Sequence, residues 1–210
     1  MACSNSASIR FQPTLHLGSA IAVLIHGAPS EAGARDALAS TALRHATGRP
    51  DIAIGRRPSG RPSLAPPHCS LGVSLSRRRS LLLAGFSPER AVGVDLEIAD
   101  EGTSVDYTRL SRDHFARDEA EICAALPVAG ARDLFFRLWV AKEAVLKATG
   151  RGIVDGMHWP DLAGQVTALR EGGAVIEHLG SRRIAVATDR RCIAAGLSAY
   201  CALAVLDIAP

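Results

Sequence analysis

The stretch that most constrains this chain lies past its middle, at residues 131–149, and is apolar on two sides at once. At about 100° per residue, Leu134, Phe135, Leu138, Val145 and Leu146 fall on one stripe of a helix, and Phe136, Trp139 and Val140 on a second. Pro127 and Gly130 separate it from a shorter helix near 116–126, and Gly150-Arg151-Gly152 closes it with ordinary C-terminal chemistry. Glu143 and Lys147 lie in the middle of the second stripe. A Glu and a Lys four residues apart are most often a surface ion pair worth about 0.2–0.5 kcal/mol. That accounts for their spacing but not for their place among aromatic residues. A charge there is expected to be partly buried and to have a specific partner such as a metal or a phosphate.

A second segment, Ala91 to Ile98, alternates strictly. Val92, Val94, Leu96 and Ile98 point one way from a strand, and Ala91, Gly93, Asp95 and Glu97 point the other. Two carboxylates at i and i+2 on one face stand about 6–7 Å apart and repel unless a cation or water intervenes. A solvent-washed face is the commoner meaning of such a pair. Here Gly93 leaves the neighbouring spot uncovered, which suits a ligand approaching the backbone. With Glu143, three carboxylates from a strand and a helix suit Mg²⁺, which takes oxygen ligands and bridges to phosphates. Asp118, Glu119 and Glu121 begin another helix, where acids also serve simply to complement its dipole.

Composition narrows the class. A chain of 210 residues with 48% apolar and 21% charged residues has the make-up of a soluble globular protein with one large domain or two of about 100 residues. No apolar run approaches the roughly 20 residues of a membrane span, so no membrane association is expected. Leu15 to Ile25 is short and reads as no signal peptide. Cys3, Cys69, Cys123, Cys192 and Cys201 are scattered, which reads as buried thiols in a reducing compartment and a cytoplasmic location. The net charge of +3 hides an asymmetry: residues 1–90 hold eleven arginines against four acids, and residues 91–210 are net acidic. Such halves fit phosphate recognition beside metal binding, or an uneven scatter of surface charge. With 4% aromatics and none interleaved with Arg77, Arg78 and Arg79, no nucleic-acid partner is expected. Of twenty-four basic residues only Lys142 and Lys147 are lysines, both within W-V-A-K-E-A-V-L-K.

Residues 14–26 read as a strand, 30–47 as a helix, and the Pro- and Gly-rich 49–68 as an extended connection. Strands are expected at 71–75, 81–86 and 91–98, then at 166–169, 174–179, 184–187 and 199–208. Polar residues 99–106 mark a boundary, giving an N-terminal half at 1–103 and a C-terminal half at 104–210. A faint echo between Val73–Ser76 before Leu81–Ala84 and Gly196–Ser198 before Ala202–Val205 fits two related α+β halves.

G-V-D-L-E at 93–97, F-A-R-D-E at 115–119, and W-V-A-K-E-A-V-L-K followed by G-R-G at 139–152 together resemble the signature of the 4'-phosphopantetheinyl transferase superfamily. Ser59-Gly-Arg-Pro62 resembles that family's G-K/R-P element, and Val73-Ser-Leu-Ser76 its N-x-S-H-S strand. The resemblance covers roughly residues 30–155 and favours the larger, two-halved type that serves polyketide and nonribosomal peptide synthetases. It implies two pseudo-twofold-related α+β halves, each a small, mainly antiparallel sheet with helices packed on it, and an active site in the cleft between them. It further implies transfer of the phosphopantetheine arm of coenzyme A to a serine of an apo, acidic acyl or peptidyl carrier protein by a monomer. Mg²⁺, or alternatively Mn²⁺, would be held by Asp95, Glu97 and Glu143. Glu119 would be the base, and Lys147 would neutralise the diphosphate with Lys142 close by. Arg35, Gly60, Arg61, Pro62, Ser76, Arg77 and Asp95 would meet coenzyme A. Three positions depart from the pattern: Ser74 stands for asparagine, Arg77 for histidine and Arg78 for the final serine, and arginine does not titrate near neutrality. Arg77 is the feature that favours a non-catalytic coenzyme A- or carrier-binding homologue over the enzyme. A Mg²⁺-dependent nuclease using the same carboxylates is a third reading, disfavoured by the scarcity of aromatic residues and by the G-R-P element.

Overall fold

The computed structural model describes residues 9–68, 70–100, 102–152, 157–172, 174–179 and 182–208; Cys3 and Cys69 lie outside these. The chain begins with β1 (Arg10–Leu17), β2 (Ala20–His26), α1 (Ala32–Thr47), β3 (Ile54–Arg56), β4 (Pro62–Leu64), β5 (Gly72–Arg78) and β6 (Leu81–Ser87). Then come β7 (Ala91–Asp100), α2 (Tyr107–His114), α3 (Arg117–Ala124), α4 (Val128–Thr149), α5 (Val166–Glu171), β8 (Ala174–Leu179), β9 (Arg182–Ala194) and β10 (Leu197–Ile208). Two four-stranded sheets form, in the orders β1-β2-β6-β5 and β7-β10-β9-β8, with every neighbouring pair antiparallel. The architecture is α+β. No helix among the described residues is long and apolar enough to cross a membrane.

Strand alternation sorts the side chains into layers. Ala22 and Leu24 of β2 and Leu81 and Leu83 of β6 meet Val94 and Leu96 of β7 and Cys201 and Leu203 of β10, so the two sheets pack face to face. The other face of the first sheet, including Val23, Ile25, Leu82 and Phe86, buries Ala39 and Leu43 of α1. The outer face of the second sheet, with Tyr200, Ala202 and Ala204, carries α4 through Leu138, Ala141 and Val145. The two apolar stripes of α4 are used as the sequence demands. Phe135 packs on Tyr107 of α2 and on Phe115, while Phe136 stacks on Tyr200 with ring centres 5.1 Å apart.

Four local readings change. The strand expected over 14–26 is a hairpin that turns at Gly18, whose φ of +58° suits glycine. The strand expected at 166–169 is α5; Val166 and Leu169 are buried at a spacing of three, which lines one side of a helix. The connection at 49–68 contains the β3–β4 hairpin. A helix, α2, follows the polar boundary, with the Asp106 carboxylate accepting the Arg109 N–H as its N-cap. Cys123 and Cys201 are buried, and burial lifts the Cys201 thiol to about 12, but Cys192 is exposed.

Candidate active site

The site grows out of the seam where two sheet edges meet. β5 ends the first sheet and β7 ends the second, and they lie side by side. Because side chains alternate, Ser74, Ser76 and Arg78 of β5 share one face, and each meets β7. Ser74 Oγ accepts the Val94 N–H at 3.1 Å, and Ser76 Oγ donates to Asp95 Oδ1 at 2.8 Å. Arg78 grips Glu97 through two donors, Nε to Oε2 at 2.6 Å and Nη2 to Oε1. Above this seam α4 crosses β7 at Gly93. A Cβ there would collide with the Ala144 carbonyl oxygen and the Ala148 nitrogen, so the bare spot expected to admit a ligand admits the helix backbone.

That close approach delivers the C-terminal turns of α4 to the carboxylates. Lys147 Nζ donates to Asp95 Oδ1 at 2.6 Å, to Val94 O at 3.2 Å and to Ser76 Oγ at 3.3 Å. Glu143, half-buried one turn earlier, has its proton affinity raised first by burial and then by the charges of Asp95 and Glu97, against the pull of Lys147 and Arg78. On the other side of Lys147 opens a cavity of about 210 Å³ lined by Arg57, Arg61, Arg90 and Lys147. Gly60, at φ +80°, makes the tight turn between β3 and β4 that presents Arg57 and Arg61, and Pro62 lines the same wall. Arg61 Nη2 donates to the Lys147 carbonyl at 3.2 Å, tying this hairpin to the last turn of α4. The hairpin is anchored from behind, where Asp36 on α1 takes Arg56 Nε at 2.8 Å and Nη2 at 2.7 Å. Acidic groups and a cationic hollow therefore share one ammonium.

Residues 91–194, about half of the chain and the part that includes β7 and α4, match the model of the 4'-phosphopantetheinyl transferase superfamily. The chain belongs to that superfamily. HetI of Nostoc sp., named a 4'-phosphopantetheinyl transferase, is 38% identical over 96 residues, 45% of this chain and 40% of that protein. The Synechocystis sp. protein slr0495, provisionally named a 4'-phosphopantetheinyl transferase, is 41% identical over 76 residues, 36% of this chain and 30% of its own length. The matched stretches thus span well under half of either relative.

Among the residues that the superfamily resemblance picks out, Asp95, Glu97, Glu143, Lys147 and Ser76 come together at the seam, and Gly60, Arg61 and Pro62 form the cavity's hairpin. Arg35 does not line the cavity; its guanidinium donates to the Ser30 carbonyl. Arg77 faces away from Ser76 and Arg78 on β5, is exposed, and donates to the Arg79 carbonyl at 2.7 Å.

Glu119 and Lys142 form a separate, sealed pair. Lys142 Nζ lies 2.8 Å from Glu119 Oε2 with both side chains fully buried, and it also donates to the Pro160 carbonyl. The remaining Glu119 contacts are the Ala116 N–H at 2.9 Å and the Leu162 N–H at 2.7 Å. Burial pushes Glu119 up and Lys142 down, each opposed by the other's charge.

Sequence reading passed over Arg57, Arg78 and Arg90. The parity of β5 was the available signal for Arg78, since it puts that residue on the Ser76 side. Arg57 and Arg90 gave none, the one following Arg56 into a turn and the other standing at a strand entry.

A divalent cation fits the seam. Asp95 Oδ2 is buried without a hydrogen-bond partner, and Glu143 feels two further carboxylates. Asp95, Glu97 and Glu143 supply the hard oxygen donors such an ion takes. Among the described residues no three His, Cys, Asp or Glu side chains already converge on one point, because Lys147 and Arg78 hold two of these carboxylates.

Proposed function

We propose that this protein transfers the 4'-phosphopantetheine arm of coenzyme A to a serine hydroxyl of an apo acyl or peptidyl carrier protein. The serine oxygen would attack the β-phosphorus, the bond from that phosphorus to the bridging oxygen would break, and adenosine 3',5'-bisphosphate would leave. The observation that carries this reading is Lys147, which stands between the arginine-lined cavity and the carboxylates of β7 and α4. A ligand with a diphosphate and a further phosphate suits both sides of that ammonium. Phosphoryl-type transfer needs mainly positioning and charge stabilisation, which these groups supply.

In this reading Arg57, Arg61 and Arg90 bind the phosphates of coenzyme A, and Lys147 turns from Asp95 toward the diphosphate. Mg²⁺, or Mn²⁺ in its place, held by Asp95, Glu97 and Glu143, would neutralise charge on the diphosphate. Glu119 is the candidate to take the serine proton, which requires Lys142 to release it. We further infer that the carrier is acidic, that the protein works as a cytoplasmic monomer, and that residues 1–103 and 104–210 act as two halves around the cleft.

The sealed Glu119–Lys142 pair and the outward Arg77 favour a second reading, a coenzyme A- and carrier-binding protein without transfer. Chromatography of a mixture of protein, coenzyme A, Mg²⁺ and apo carrier separates the two. Appearance of adenosine 3',5'-bisphosphate only when the carrier is present supports transfer. Its absence, with coenzyme A bound intact, supports the binding protein. Under the first reading Glu119→Gln still binds coenzyme A and releases none of this product.

A further inference from the structure

Arg78 is the residue of the seam that neither the motifs nor the proposed chemistry uses. It is an exposed side chain on an edge strand, yet it is spent on a two-donor grip of Glu97, whose side chain is only 14% exposed. Two-donor arginine–carboxylate pairs are among the stronger charge-assisted contacts and fix both partners in plane. Its guanidinium stands in the field of all three carboxylates: Glu97 first, then Asp95 and Glu143, raise its already high pKa. Lys147 plays the same part for Asp95. With each oxygen of Glu97 already accepting from the guanidinium, an ion lying between it and Asp95 competes with Arg78 for that carboxylate.

We propose that Arg78 is a built-in competitor for the divalent cation: it holds Glu97 while the cation is absent and sets how tightly the cation binds. The cation has to take Glu97 from the guanidinium, and a positive charge remains beside the site after it does. Both effects lower affinity and leave Asp95 and Glu143 as the carboxylates that meet the ion first. This inference rests on the three-carboxylate cation site of the preceding section.

Mn²⁺ binding to the protein without substrate, followed by the electron-paramagnetic signal of the free ion, tests it directly. Arg78→Ser is expected to bind Mn²⁺ about tenfold more tightly than the wild type, the scale of one nearby unit charge at a partly exposed site. Arg78→Lys, which keeps the charge but loses the two-donor grip, is expected to fall between them. Adding Glu97→Gln to Arg78→Ser is expected to cancel the gain. Equal or weaker binding by Arg78→Ser and Arg78→Lys, with the wild type binding normally, overturns the role of Arg78 alone. A gain that survives Glu97→Gln overturns it as well, because the competition would not be for Glu97. No Mn²⁺ binding by any form overturns the cation site itself, and the inference with it.

Discussion

The two lysines of this chain sit five residues apart on α4 and end in opposite surroundings. Lys142 is sealed against Glu119 and the Pro160 carbonyl under the Phe115 ring. Lys147 has a side chain one-third exposed and reaches across the sheet seam to Asp95 and Ser76. Five helical residues are about 140° of rotation, enough to turn one ammonium into the helical layer and the other toward the cavity. Each has a carboxylate partner, so the pairing alone does not distinguish them. Burial does. A sealed pair is costly to break from one side, whereas a pair at a cavity can exchange partners with a ligand.

The largest effect should come from breaking the sealed pair. Lys142→Met leaves Glu119 buried without its cation and is expected to lose about 3–5 kcal/mol in urea unfolding. Lys147→Met, partly solvent-screened and with Ser76 still donating to Asp95, should lose only about 1 kcal/mol. Equal losses would erase the contrast.

Activity should invert that order of importance. Lys147→Ala is expected to slow carrier modification by at least about a hundredfold while its unfolding midpoint moves little. A residual rate within about tenfold of the wild type would mean that the cavity works without its ammonium.

Removing both members of the sealed pair sharpens the comparison. Glu119→Gln with Lys142→Met should return stability to within about 1 kcal/mol of the wild type and keep coenzyme A affinity while transfer is lost. The pH dependence follows from the directions of the shifts. Glu119 is raised from 4.5, so the native state holds its proton longer, and the stability it contributes falls as pH rises through that raised value. Lys142 is lowered from 10.5, so its contribution is complete above 10.5 and is lost as pH falls through the lowered value. Wild-type stability relative to the double variant should therefore be least near neutrality and grow toward both acid and alkali. A flat difference from pH 4 to 10 in calorimetric scans would contradict it.

The smallest effect concerns the back of the cavity. Asp36→Asn loosens the Arg56 anchor of the β3–β4 hairpin and should weaken coenzyme A binding about fivefold by titration calorimetry, with little change in turnover.

What the sequence made legible were the places where one period had to satisfy two faces. Residues 91–98 could alternate only as a strand with Asp95 and Glu97 together, and the two stripes at 131–149 placed Glu143 and Lys147 on one side of a helix. Both readings depend on local geometry alone. Arg78 was hidden because its partner Glu97 comes from another sheet, although its parity with Ser76 was visible. Lys142 was read toward the diphosphate because nothing local announces the Pro160 carbonyl or the route of Leu162. Gly93 was read as room for a ligand when the tertiary fold used that room for the backbone of α4. Val166 misled because a β-branched residue followed by Thr167 resembles a strand until α4 packs on Leu169, whose carbonyl accepts the Arg137 guanidinium from that helix.

The measurement that tests the account most directly is the intact mass of an apo acyl carrier protein incubated with this protein, coenzyme A and Mg²⁺. A gain of one phosphopantetheine is expected with the wild type, and none with Lys147→Ala, with Glu143→Ala or with chelator present. No gain on fatty-acid, polyketide or peptidyl carriers, from folded protein that binds coenzyme A, would contradict it.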